Sequence, residues 1–536
     1  MPTMKRIFFI VTTLFCLMLV LETIALFAFR SFQPAVSFIL SPDKATLVWT
    51  RLPLWPLYQA EVFAAGLTGD NEFRQPRQPL KKYLLGQNPL AIAKDYPFPT
   101  IWRISARGLL NRQLGNWSEP ALLADLTAAS HPVSTPAVVS PIRLKNGPIL
   151  TWTTVPGAVY HEIEFLSDPP ENPRGILPSK YQIYSSRAVF VRGFHPHPRF
   201  FQRQPVYWRV RALDLSGNPL GVFSDTGSIS AFTVENQLLR PLIISDYKAQ
   251  NAVPLLYPVY EWIPIQGADS YEVELTRVPP ENPNSAAPSR FRVWHGRSKG
   301  FSLYDELPRS ENGRYYYRVR GLGPNGEPVG VWSAAASFDV DRAKASQVAT
   351  FGDSITHGGG AVSYSPSDWE YSYQSYLKFP TYNLGHSSDT AETSLERFDR
   401  DVLPFRPKHL IIMTGTNSIR AGVPGQNLIR DLSAIRDKCL QNGIRPIFLT
   451  LPPINPAAIA RAFHENTAPN WQESLFAVND WIREQPYHVD LYPYFADPER
   501  LLPANLATDG LHYDITGKKL MAALINAHWD ELSRLW

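Results

Sequence analysis

Cysteine is scarce. The 536-residue chain has two, Cys16 in an N-terminal apolar run and Cys439 in a helix-like stretch, so no disulfide framework is readable. Cys-x-x-Cys and paired Cys/His metal spacings are missing, which leaves no metal site to read and no cofactor to expect. A dominant charge is also lacking. Fifty-two Lys and Arg against 48 Asp and Glu leave a formal net charge of +4, spread without long single-sign runs. No basic stripe with interleaved aromatics is present, which argues against a nucleic-acid partner.

Proline, by contrast, is plentiful at 49 residues, beside an apolar content of 44%. Proline blocks helix interiors and favours strand edges and turns, so this composition points to β modules rather than bundles. At about 100–200 residues per domain, the length implies about three to five domains.

The N-terminus carries the longest apolar run. Lys5 and Arg6 precede a stretch from Ile7 to Phe29 that is interrupted only by Thr12, Thr13, Glu22 and Thr23. A spanning helix needs about 20 mainly apolar residues. Positive charge ahead of the run favours an inside N-terminus with the rest exported. Two readings stand: an uncleaved signal anchor, or a signal peptide cut near Ala28. The length favours the transmembrane anchor, while Glu22 and the small residues near the end favour cleavage. A lipoprotein reading fails at Phe15, where a small residue is expected before Cys16. The expectation is that residues 1–32 hold the chain at the cell membrane with its bulk periplasmic or extracellular. If the run is cleaved, the chain is secreted.

The middle of the chain repeats itself. "WTTVPGAVYHEIEFLSDPPENP" starts at Trp152 and "WIPIQGADSYEVELTRVPPENP" at Trp262. "YWRVRALDLSGNPLGVFSD" from Tyr207 answers "YYRVRGLGPNGEPVGVWSA" from Tyr316, and a more divergent copy, "IWRISARGLLNRQLGNWSE", starts at Ile101. Aromatic and aliphatic residues alternate with arginines, as on half-buried strands, and Gly/Asn/Pro turns follow. The period near 110 residues suits a β-sandwich. The pattern resembles fibronectin type III domains over about residues 33–342. The resemblance implies three sandwiches, 33–132, 133–238 and 239–342, with Trp49, Trp152 and Trp262 in their cores and "PPENP" as a rigid loop. Such modules serve as spacers or as binding surfaces for proteins or glycans.

Beyond the linker-like "VDRAKASQ", apolar strands alternate with helical patterns, which argues an α/β domain with a parallel sheet. "QVATF", "HLIIMTG" and "RPIFLTLPP" read as buried strands. "WEYSYQSYLKF", "QNLIRDLSAIRDKCLQNG", "WQESLFAVNDWIRE" and "TGKKLMAALINAHWDELSRLW" read as helices, the second ending at Gly443. Ligands of open sheets bind outside the C-terminal strand ends. There the sequence places Ser354 in "GDSIT", Asn383, Gly385 and Ser388 in "TYNLGHSSDT", Asn417 in "GTN", and Asp509 and His512 in "DGLH". These are the parts that acyl transfer needs. A serine hydroxyl requires a base within reach. His512 can shuttle the proton, and Asp509, three residues earlier, can fix the tautomer of its ring. Asn417 offers an amide donor to an oxyanion, with backbone N–H groups of Ser354 and the second loop as further donors.

"GDSIT", "NLGHSSDT", "GTN" and "DGLH" occur in that order over about residues 346–536, and together they resemble the GDSL or SGNH hydrolase superfamily of esterases and lipases. The resemblance implies a three-layer α/β/α fold and a metal-free triad of Ser354 as nucleophile, His512 as base and Asp509 as its partner. It also implies an oxyanion hole drawn from Ser354, Gly385, Ser388 and Asn417. The second block departs from the usual pattern, since Ser388 stands where a glycine is expected before the Asp-Thr pair. A serine keeps the backbone N–H, but glycine is chosen where φ is positive or a ligand comes close.

Nearby, His357 and His386 read as solvated or hydrogen-bonded loop residues, because no carboxylate or cysteine partner stands at ligand spacing. Trp369, Tyr371, Tyr373 and Tyr376 read mainly as core at helical spacing, with a pocket wall as the alternative. The expected whole is an exported, membrane-tethered serine esterase acting through an acyl-Ser354 intermediate on O-acyl, chiefly O-acetyl, esters of carbohydrate such as an acylated polysaccharide. A lipid or thioester hydrolase, an acyltransferase and a non-catalytic glycan- or protein-binding protein are the alternatives.

Overall fold

The computed structural model describes the chain apart from residues 1, 42–43, 53–56, 65–80, 87–89, 93–99, 109, 119–120, 124–137, 145–146, 176, 198–199, 201–204, 231–238, 246, 248–251, 346, 363–367 and 535–536. The expected module boundaries at 132/133 and 238, and residue 346 at the start of the C-terminal domain, fall outside the described residues. The chain divides into two compact units, one of residues 1–138, 162–188 and 205–229, the other of 139–161, 189–204 and 230–536.

The first unit opens with helix α1 (Pro2–Ala28). Among the described residues, no helix is long and apolar enough to cross a membrane, so the expected transmembrane helix is not supported. The end of α1 instead packs on protein. Ala25 is buried with Trp49, Tyr58 and Trp102 in one core. Glu22, the acidic break in the apolar run, is 1% exposed, and its carboxylate accepts the Leu110 amide at 2.7 Å. That core lies between a three-stranded sheet (Val36–Ser41, Lys44–Trp49, Leu90–Ile92) and a five-stranded one around Tyr58–Ala64 and Thr100–Arg107. A further four-stranded sheet carries Tyr160–Leu166 beside Val206–Leu213.

The repeated sequence signatures correspond to repeated bonds. In each copy a Ser after the aromatic residue exchanges two hydrogen bonds with a strand: Ser118 with Ile104, Ser224 with Val210, Ser333 with Val319. The Glu-x-Glu strand faces the Arg-x-Arg strand through buried ion pairs, Glu164 to Arg209 at 2.5 Å and Glu274 to Arg318 at 2.7 Å. The aromatic residue lies over the guanidinium, as Trp117 over Arg103, Phe223 over Arg209 and Trp332 over Arg318. In "PPENP", Glu171 and Glu281 each take a serine hydroxyl at 2.6 Å, from Ser179 and Ser289, which pins the loop. Trp49, Trp152 and Trp262 are all buried.

The second unit holds the third repeat and the C-terminal domain. The third repeat has one sheet of Leu242–Ile243, Val259–Ile263 and Ser302–Tyr304, and a larger one around Ser270–Thr276 and Gly313–Leu322. The C-terminal domain has a parallel sheet of β1 (Val348–Gly352), β2 (Tyr382–Asn383), β3 (His409–Met413), β4 (Arg445–Leu449) and β5 (His488–Val489) in the order β2-β1-β3-β4-β5. This doubly wound order has its switch point between β1 and β3, where open α/β sheets bind ligands. Helices α2 (Ser354–His357), α3 (Ala391–Asp401), α4 (Thr416–Arg420), α5 (Gly425–Gln441), α6 (Pro456–Phe463), α7 (Trp471–Arg483), α8 (Tyr492–Phe495) and α9 (Ile515–Leu532) connect and flank it.

The helix expected over "WEYSYQSYLKF" is replaced by two 3-10 turns, Trp369–Tyr371 and Tyr373–Tyr376, separated by extended Ser372. Tertiary bonds override the periodicity here: Gln374 is buried and donates to Thr350 Oγ1 at 2.9 Å and to the Thr356 carbonyl at 2.8 Å. Tyr371 and Tyr373 are core residues.

Candidate active site

Strand β1 ends at Gly352, and α2 begins at once. Asp353 caps it, its Oδ1 accepting the Ile355 amide at 3.0 Å. The cap leaves Ser354 as the first helical residue, with its side chain at the strand end and an amide that has no carbonyl four residues back to receive it. Ser354 Oγ lies 2.9 Å from His512 Nε2. His512 Nδ1 lies 2.9 Å from Asp509 Oδ2, while Asp509 Oδ1 accepts the His512 and Leu511 amides at 2.7 and 2.8 Å. An ionised Asp509 fixes the tautomer: Nδ1–H donates to it and Nε2 accepts the Ser354 hydroxyl. Burial works against the Asp509 charge, but His512 and the two amides outweigh it and hold the carboxyl below its ordinary value.

A cleft of about 340 Å³ opens over these atoms. Its lining includes Ser354, His512, Ser388 and Asn417. Asn417, on α4, donates from Nδ2 to the Asp389 carbonyl at 2.9 Å. An amide NH2 has two hydrogens, so one remains for a ligand. Ser388 has φ +71°, the left-handed conformation that glycine would meet without strain.

Gly385 is a correction. Its amide donates to Asn383 Oδ1 at 2.9 Å, so it is not free for an oxyanion, and it does not line the cleft. Its glycine character has a packing cause: a Cβ there would lie 2.4 Å from the His357 backbone nitrogen. His357 is hydrogen-bonded, yet it is 1% exposed rather than solvated. Its Nε2 donates to the Tyr257 carbonyl at 2.7 Å and Nδ1 pairs with Ser387 Oγ at 2.8 Å; burial pushes its pKa down to about 3. His386 pairs with Asp389 Oδ1 at 3.0 Å. Among the described residues no cluster of His, Cys, Asp and Glu could hold a metal ion, and both cysteines are free.

Several residues around the site escaped the sequence reading. Arg397 bonds Asp389, the Leu384 carbonyl at 2.8 Å and the Gly352 carbonyl at 3.0 Å, tying α3 to the ends of β1 and β2. Arg420 pairs with Glu465 at 2.6 Å on the cleft wall. It lies three residues past Asn417, and that proximity was its only sequence signal. Lys518 is fully buried on α9 and donates to the Ile355 carbonyl at 2.6 Å beneath α2. Burial pushes its pKa down to about 7 and that of Asp353 up to about 7.

Residues 350–520 match the model of the GDSL-like Lipase/Acylhydrolase family. The C-terminal domain is a GDSL-like lipase/acylhydrolase domain. The match leaves the β-rich repeats outside the GDSL-like domain and does not carry their fibronectin likeness. The chain is also similar to the uncharacterized lipoprotein YqeF of Bacillus subtilis (strain 168), 31% identical over 128 residues, which are 20% of this chain. The similarity spans about half of that relative, 49% of its length. Among solved structures, the chain is similar to an acylhydrolase of Bacteroides fragilis (22% identical, 35% of this chain and 88% of that one, TM-score 0.30). It is also similar to the lipase/acylhydrolase of Enterococcus faecalis (21%, 34% and 95%, TM-score 0.29). A catalytic mutant of the acetylxylan esterase Axe2 of Geobacillus stearothermophilus is a third such structure (18%, 34% and 92%, TM-score 0.27).

Proposed function

We propose that the protein is a serine esterase whose nucleophile is Ser354. One observation carries this reading: Ser354 Oγ, His512 and Asp509 form an unbroken hydrogen-bonded line that ends in a cleft. Ser354 Oγ attacks the ester carbonyl carbon while His512 Nε2 takes the hydroxyl proton. The carbonyl oxygen becomes an oxyanion beside the Ser354 and Ser388 amides and the second hydrogen of Asn417 Nδ2. The C–O bond to the alcohol then breaks, and the imidazolium returns the proton to the departing oxygen. Water attacks the acyl-Ser354 with His512 again as base, releasing the acid and restoring the serine.

The substrate class we propose is an O-acyl, chiefly O-acetyl, ester of carbohydrate. A cleft at the small end of the roughly 300–1,000 Å³ range of small-molecule sites suits a short acyl group better than an extended lipid chain. Its hydroxyl-rich lining of Ser302, Ser387 and Ser388 favours a polar alcohol. The protein works outside the cytoplasm, held at a membrane through α1. The basic Lys5-Arg6 pair before the apolar run and the exposed Phe15, Leu17, Val20, Ile24 and Phe27 support that placement. The β repeats before the third are fibronectin-like modules.

The deciding experiment is hydrolysis of p-nitrophenyl acetate and release of acetate from acetylated xylan. Ser354→Ala should lower kcat on the small ester by at least about 10³. Turnover that survives the substitution, or a wild-type chain inert to both esters, would sink the reading.

A further inference from the structure

The cleft wall is not built by the GDSL-like domain alone. Val259, Ser302 and Tyr304 of the third repeat line it beside Ser354, Ser388 and Asn417. They sit on two paired antiparallel strands, with Val259 opposite Tyr304 and Glu261 opposite Ser302. Ser302 and Tyr304 are two residues apart on one strand and so present their side chains to the same face.

This wall is joined to the catalytic sheet. Leu255 forms a parallel bridge with Asn383 of β2; the Asn383 amide donates to the Pro254 carbonyl at 3.0 Å, and the Leu256 amide to the Asn383 carbonyl at 2.9 Å. Tyr257 is fully buried and donates its hydroxyl to Asp401 Oδ2 at 2.6 Å. The Tyr304 ring packs against the imidazoles of His357 and His386, at 5.1 and 5.7 Å between centroids. His386 in turn holds Asp389, whose carbonyl receives Asn417. The wall therefore touches the loop that carries the candidate oxyanion donors.

We propose that the third β repeat is a specificity element of the active site, its Val259, Ser302 and Tyr304 forming the surface that recognises the alcohol part of the ester, a neutral polyhydroxylated ring. The inference rests on the esterase reading above. Charge argues for neutrality. The wall itself brings no charge, and the Arg420 cation lining the cleft is already matched by Glu465. An alkyl chain would bury the Ser302 hydroxyl unpaired, whereas ring hydroxyls would satisfy it. The faces of Tyr304 and Phe463 suit the C–H surface of such a ring.

The test compares kcat/KM on acetylated xylo-oligosaccharide with kcat/KM on p-nitrophenyl acetate, in the full chain. Ser302→Trp fills the wall, and Ser302→Ala removes its hydroxyl with little risk to folding. Both should lower the ratio, Ser302→Trp at least tenfold and Ser302→Ala about threefold, through KM on the oligosaccharide. Val293→Ser, on the exposed face of another strand of the same repeat, should leave the ratio unchanged. A ratio within twofold of wild type in both wall variants overturns the inference and leaves the esterase reading intact. Absence of Ser354-dependent turnover in wild type overturns the esterase reading instead. The wall is then judged by calorimetric binding of xylotetraose to the Ser354→Ala chain: binding that Ser302→Trp abolishes upholds it, and no binding overturns it.

Discussion

Asn417 shows how few atoms the candidate oxyanion hole depends on. One hydrogen of its Nδ2 is spent on the Asp389 carbonyl, which aims the other. Asn417→Ala removes that donor without touching the nucleophile or base. The expected result is a fall in kcat of about 10²–10³ with little change in KM, read from initial rates on p-nitrophenyl acetate. Ser388 makes a different prediction, about stability. A non-glycine residue at φ +71° carries roughly 1–2 kcal/mol of strain. Ser388→Gly should raise the melting temperature by a few degrees, and Ser388→Val, whose branched Cβ fits this conformation worse, should lower it. Equal melting temperatures for all three would show that the surrounding loop sets the cost, not the side chain.

At the scale of elements, α2 is four residues long and cannot hold the nucleophile by its own hydrogen bonds. It is held by Asp353 at its start and by Lys518, from α9, on the Ile355 carbonyl. The lysine's folded pKa of about 7 lies below its ordinary 10.5. Between those values the unfolded chain binds a proton that the folded chain has released. Stability attributable to Lys518 therefore rises with pH from about 7 to 10.5, by up to about 1.4 kcal/mol per unit, and is fully penalised below 7. Asp353 works the other way: its pKa is raised from 3.8 to about 7, so its contribution falls as pH rises across that interval. Lys518→Met should abolish the alkaline rise, seen as a flat urea midpoint from pH 7.5 to 10. An unchanged slope would locate the titration elsewhere. These supports also mark what sequence reading could reach. The loops that end β1, β2 and β3 and the loop before α9 bear distinctive polar residues, so the blocks around Ser354, Asn417 and His512 were legible from their places at strand ends. Burial was not legible: His357 and Lys518 look like surface residues in sequence, yet His357 is covered by Tyr257, Ser387 and Tyr304, and Lys518 lies against the Ile355 carbonyl of α2. The turns at Trp369–Tyr376 were misread because Gln374, a polar residue in an aromatic stripe, bonds inward.

At the scale of the whole molecule, the third repeat reads in sequence as an independent sandwich because its pattern closely matches that of the second. The pairs Glu274–Arg318 and Glu164–Arg209, with Trp332 and Phe223 over them, are one design used twice. Its attachment to the GDSL-like domain uses residues outside that pattern, Leu255 to Tyr257, which lie about a hundred residues before the first catalytic block. This predicts where the catalytic part can be cut. A chain begun at residue 346 loses Leu256 and Tyr257, both fully buried in the core of the GDSL-like domain. It also leaves Asp401 without one hydroxyl donor and His357 Nε2 without its carbonyl. Removing two such side chains costs on the order of 2–5 kcal/mol each, a large share of the 5–15 kcal/mol by which domains are usually stable. The shortened chain should accumulate poorly or melt at least ten degrees lower than one begun at residue 239, which retains the third repeat. Comparable melting temperatures would mean that the 254–257 segment lies on a domain that is already complete without it.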